Sequence, residues 1–149
     1  MAEALLVRKG SSENRVYLYK DGVENVAWSG ASGNLTEQAG YIQYNNPSNT
    51  GTNETLTIAT TSTVDLTGYT KLCMEGVFNK TGGTNHTAFN TRLVIGSNEG
   101  IHNHVGSNVS RNFEHKWVMS YTGAQTISLK FNCWAQLGYI RISKVWLEK

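Results

Sequence analysis

The sequence predicts an all-β domain, an antiparallel β-sandwich of about eight short strands, on three observations. Apolar and polar residues alternate in segment after segment, the period of a strand with one face in a core. Thr and Asn are abundant, at sixteen and fifteen of 149 residues, beside fifteen Gly and a single Pro. Thr fits a half-buried pleated surface, whereas Asn and Gly tolerate the positive φ of tight turns. Finally, no sustained apolar stripe at i, i+3, i+4, i+7 marks a helix.

Arg15 to Lys20 alternates as a first strand and is stopped by Asp21-Gly22, a strong turn dipeptide. Tyr41 to Tyr44 and Thr55 to Thr60 follow, separated by a polar loop that holds Pro47. Lys71 to Phe78 places Leu72, Met74, Gly76 and Phe78 on one face and Cys73, Glu75 and Val77 on the other. Arg92 to Ile95 is a short, more continuously apolar strand. In Phe113 to Tyr121 the residues Phe113, His115, Trp117, Met119 and Tyr121 share a face. In Thr126 to Gln136, Ile127, Leu129, Phe131, Cys133 and Ala135 oppose Ser128, Lys130, Asn132, Trp134 and Gln136. Tyr139 to Leu147 begins with Ile140 and Ile142 in phase, then shifts to Val145 and Leu147. That one-residue slip at Ser143-Lys144 predicts a β-bulge.

Nothing divides the chain, so residues 10–149 read as one sandwich and residues 1–9 as an N-terminal arm or edge strand. Leu5, Leu6, Val7 and Arg8 of that arm are the candidate docking residues for a partner protein. The apolar run is too short for a signal peptide or a membrane span, and Glu3 precedes it. Synthesis in the cytoplasm without membrane insertion is the expectation. A net charge of +2, with cations scattered along the sequence and forming no run, predicts no nucleic-acid partner. Cys73 and Cys133 are too few for a disulfide framework and read as buried thiols, although a single bridge stays open.

No catalytic residues are predicted. The sequence has no nucleophile elbow and no phosphate-cradling loop, and both cysteines sit in strand interiors. Glu75 and Glu114 are the acids standing within β-like segments. His102-Asn103-His104 has the i, i+2 spacing that lets two imidazoles share a metal on a strand. Two ligands do not make a site, so these histidines read as exposed loop residues beside Gly100 and Gly106, and no metal or other cofactor is predicted. Trp28, in a glycine-flanked loop, and Trp134, flanked by Asn132 and Gln136, are candidates for stacking and hydrogen bonding a sugar.

The stretch Val64-Asp65-Leu66-Thr67-Gly68-Tyr69-Thr70-Lys71-Leu72 resembles the turn-into-strand of galactose-binding-like jelly-roll domains. The ending Ile140 to Glu148 is similar to their closing strand. With the early Val-Tyr-Leu-Tyr strand, residues 15–148 resemble small structural proteins of tailed bacteriophages. The resemblance implies a non-enzymatic virion component, foremost a capsid decoration protein held by contacts with other capsid or tail proteins, with a homotrimer possible by analogy. Its alternative is a tail or baseplate adhesin that binds host surface glycans. The acidic calcium loop of carbohydrate-binding relatives is not evident here.

Overall fold

The computed structural model describes residues 14–46, 54–81, 89–106, 108–133 and 137–149. The arm residues Leu5, Leu6, Val7 and Arg8, together with Trp134 and Gln136, lie outside them. The strands of the first half are β1 (Arg15–Lys20), β2 (Val23–Glu24), β3 (Trp28–Ser29), β4 (Leu35–Glu37), β5 (Ile42–Asn46), β6 (Glu54–Thr60) and β7 (Val64–Asp65). The second half adds β8 (Lys71–Thr81), β9 (Asn90–Ile95), β10 (Asn98–Asn103), β11 (Val109–Val118), β12 (Ala124–Gln125), β13 (Ile127–Cys133) and β14 (Leu137–Glu148). Among the described residues no helix is long and apolar enough to cross a membrane.

The expected antiparallel sandwich is what these strands build. The larger sheet runs β11-β8-β14-β1-β2, with β5 pairing the first half of β14 and β4 lying beyond β5. The smaller sheet runs β10-β9-β13-β6-β3, and β12 and β7 form a separate ribbon. Alternate side chains meet between the sheets: Leu72, Met74, Ile140, Ile142, Val145 and Leu147 from one, Ile58, Leu93, Leu129 and Phe131 from the other. Tyr44 and Phe131 stack across the gap with centroids 5.9 Å apart.

Two local expectations are met closely. Asp21 and Gly22 both have positive φ (49° and 89°), as a two-residue hairpin turn joining β1 to β2 requires. The bulge in β14 falls at Ser143, where the register with β8 steps from Ile142 opposite Gly76 to Lys144 opposite Glu75. It lets Ile142 and Val145 both face the core, although they are three residues apart.

Two expectations are corrected. Trp28 is not in a loop: it pairs with Thr60 in β3, is 6% exposed, and belongs to the core. The segment around His102 is not an exposed loop but strand β10. Its inward positions are Gly100 and His102, opposite Leu93 and Thr91, so it carries no apolar alternation to read. Gly100 is needed there, because a Cβ would fall 2.4 Å from the Trp117 ring that covers it.

Candidate functional site

The outer face of the larger sheet is the best-furnished surface among the described residues. Its middle strand, β14, turns Tyr139, Arg141, Lys144, Trp146 and Glu148 outwards, since Ile140, Ile142, Val145 and Leu147 take the inward positions. Cross-strand neighbours follow from register. Arg141 lies between Val77 and Gln43, Lys144 between Glu75 and Lys20, Trp146 between Cys73 and Tyr17, and Glu148 between Lys71 and Arg15. On the far side of β8, strand β11 adds Asn112, Glu114 and Lys116.

At one end, Arg141 is held between two aromatic rings. Its guanidinium carbon lies 4.6 Å from the centroid of Tyr41 and 4.2 Å from that of Tyr139. Its Nε donates to Gln43 Oε1 at 2.8 Å, fixing the plane of the fork. Beside it the face dips over Gly76 into an open depression of about 470 Å³ lined by Glu75, Val77, Asn112, Phe113, Glu114 and Ser143. Glu75 and Glu114 are direct cross-strand partners, and each faces an ammonium: Lys144 on Glu75, and Lys116 at 3.8 Å from Glu114.

At the other end Glu148 is the hub. It accepts from Trp146 Nε1 at 3.2 Å and pairs with Arg15, Lys71 and Lys116 at 3.4, 3.2 and 3.3 Å. The indole hydrogen bond first, then the lysines, hold its carboxyl down at about 2. Trp146 faces outwards yet is fully buried, roofed by the Arg15 guanidinium 4.4 Å from its ring. Glu148→Gln is therefore expected to lower stability at pH 7 by about 1–2 kcal/mol, leaving three cations facing one another. Urea unfolding measures this. A carboxylate with a depressed folded pKa stabilises above its unfolded value and loses that contribution as pH falls towards 2, so mutant and parent curves converge there.

Both acids of the depression sit beside lysines. The free thiol of Cys73 is buried, and burial pushes it up to about 12, away from thiolate nucleophilicity.

The residues singled out in the sequence are placed elsewhere. Trp28 is removed from any stacking surface by its burial, and its Nε1 has no partner among the described residues. Asn132 sits on the outer side of the smaller sheet, 6% exposed, donating to Thr55 Oγ1 at 2.7 Å. His102 and His104 do come together, at 5.1 Å between centroids, and His115 joins His102 at 5.3 Å. The three close the seam between β10 and β11 against Phe113, which is 5.2 Å from His102 and 4.5 Å from His104. His104 is fully buried, with Nε2 2.8 Å from Thr91 Oγ1 and Nδ1 without a partner among the described residues. Among those residues no three side chains converge as metal ligands. Burial holds His104 down at about 3 and His115 at about 4, and lowers His102 as well.

Sequence reasoning missed Tyr41, Gln43, Tyr139 and Arg141. The signal was present, because Tyr139 and Arg141 occupy the phase opposite Ile140 and Ile142, but an alternation scored for its oily positions leaves the other set unread.

No family model matches the chain, and no curated protein matches it in sequence. Solved structures similar to it include a family 29 carbohydrate-binding module, 9% identical with a TM-score of 0.48, the match covering 91% of this chain and 92% of that one. A module described for specific mannan recognition, TmCBM27, is 15% identical with a TM-score of 0.47 over 91% and 88% of the two chains. The K2 cleaved adhesin domain of Lys-gingipain is 16% identical with a TM-score of 0.46 over 99% and 96%.

Proposed function

We propose that this protein is a non-catalytic carbohydrate-binding domain whose ligand lies on the outer face of the larger sheet. The observation that carries the reading is the Tyr41–Arg141–Tyr139 stack beside the open depression. Sugar rings present apolar C–H faces and rims of hydroxyls. Binding them calls for partly exposed aromatic rings and for rigid planar polar groups that donate or accept in pairs. Tyr41, Tyr139, Arg141, Gln43, Asn112, Glu75 and Glu114 supply both kinds within one stretch of sheet. The Nη atoms of Arg141 make no hydrogen bond among the described residues and are available to sugar hydroxyls.

This reverses the order of the two readings drawn from the sequence: the glycan-binding alternative now stands first. The arm on which virion docking rests lies outside the described residues, whereas the glycan chemistry sits on a defined face.

Native affinity electrophoresis through gels containing soluble polysaccharides tests the proposal. The intact chain is expected to be retarded by at least one of them. Tyr139→Ala and Arg141→Ala are each expected to weaken retention by about ten- to a hundredfold, the usual loss for a central Tyr or Arg. Both side chains are partly exposed, so thermal unfolding should change little. Retardation by no polysaccharide, or retardation indifferent to both substitutions, would refute the proposal.

A further inference from the structure

We propose that the ligand of this face is an acidic polysaccharide, an inference that rests on the glycan-binding reading and specifies its substrate class. Cations that are scattered along the sequence are gathered by the fold onto one surface. Arg141, Lys144, Lys20, Lys71, Lys116 and Arg15 lie along the outer side of β14 and its neighbours. Four carboxylates, Glu75, Glu114, Glu148 and the Asp21 that acts on Lys144, share the face with them, which leaves two positive charges in surplus. That surplus equals the net charge of +2 of the entire sequence, so the remaining charges balance elsewhere. The absence of a basic run in the sequence concealed a basic stripe in the fold.

Two features of the stripe favour an added anion. Lys20 and Lys144 are direct cross-strand partners, an arrangement of like charges that destabilises a sheet. Lys144 is offset by Glu75, whereas Lys20 has no carboxylate within ion-pair distance among the described residues and lies 4.7 Å over the Tyr17 ring. Further along, Arg15, Lys71 and Lys116 converge on the single carboxylate of Glu148. From Arg141 to Glu148 the stripe extends about 20 Å along the strand, long enough to hold several sugar units in a row.

The carboxylates distinguish a polysaccharide from a nucleic acid. Glu75 and Glu114 line the depression as acceptors, which suits a polymer that carries hydroxyl donors between its charges. A phosphodiester backbone brings a charge at every step and few hydroxyls to meet them.

The test compares binding of the intact chain to polygalacturonate, dextran sulfate, neutral galactan and mannan, and a single-stranded oligonucleotide. Affinity electrophoresis and calorimetry provide the readouts. One or both acidic polysaccharides should bind at least about tenfold more tightly than the neutral ones, with affinity falling as salt rises. The two acidic probes separate a carboxylate ligand from a sulfate ester. Lys20→Gln should weaken acidic binding about three- to fivefold while leaving the unfolding temperature equal or higher, because a repulsive pair is relieved. Neutral glycans bound as well as acidic ones, independently of salt, would overturn this inference and leave glycan binding standing. Binding to no glycan would remove both. Preference for the oligonucleotide would overturn the acidic-polysaccharide assignment.

Discussion

A Gly76→Ala variant is expected to lose about 3–5 kcal/mol of folding free energy, the range reserved for backbone conflicts in a core strand. Gly76 has no unusual φ; the reason is the neighbouring strand. Beside the bulge at Ser143, a Cβ on Gly76 would stand 1.9 Å from the carbonyl oxygen of Arg141 on β14. Another 2.9 Å separates it from the Arg141 carbonyl carbon, so the obstacle is main chain that no rotamer change can move. Relief would have to come from parting β8 and β14, the longest pairing in the molecule. Gly40→Ala is the control, since nothing lies within 4 Å of its Cβ position. Urea unfolding of the two variants should differ by nearly the full effect, and equal midpoints would refute the main-chain conflict.

Acidification provides the second large effect. His102, His104 and His115 close the β10–β11 seam against Phe78, Phe89 and Phe113, and burial is the main cause that keeps them neutral. In the unfolded chain each protonates near pH 6.5, while His104 and His115 hold out in the fold to about 3 and about 4. The unfolded state therefore binds more protons below pH 6.5, and stability falls as pH drops towards those folded values. Two such groups imply a loss on the order of 3–5 kcal/mol between pH 6.5 and pH 4.5. The ion pairs of Glu148 fail only below its unfolded value, while Glu37, raised by burial and by Glu24, acts with the opposite sign to the imidazoles as pH falls. Thermal unfolding at pH 7.5, 6 and 5 should show a steep decline that His104→Leu flattens. A midpoint unchanged between pH 7.5 and pH 5 would show that the seam carries no such penalty.

The fold was legible wherever one strand face is oily. The alternations in Lys71 to Phe78, Thr126 to Phe131 and Tyr139 to Leu147 became β8, β13 and β14, and the slip at Ser143 located the bulge. Strand β10 was illegible because its inward positions are Gly100 and His102, whose fit depends on Trp117 and Phe113 arriving from β11. The outer face of the larger sheet was illegible for a related reason. Arg15, Lys71, Lys116 and Glu148 are far apart in sequence, and register alone makes them neighbours. Trp28 misled because flanking glycine suggests a loop, whereas pairing with Thr60 carries the indole into the core.

Strand β14 pairs with β8, β1 and β5, three strands that pair with one another nowhere among the described residues. Until residues 137–148 are made, the larger sheet can exist only as separate strand pairs, each too small to persist in water. Folding of this domain is thus deferred until synthesis has passed its closing strand. A chain broken off before Leu137 yields no smaller working domain, only a polypeptide for chaperones and proteases to clear.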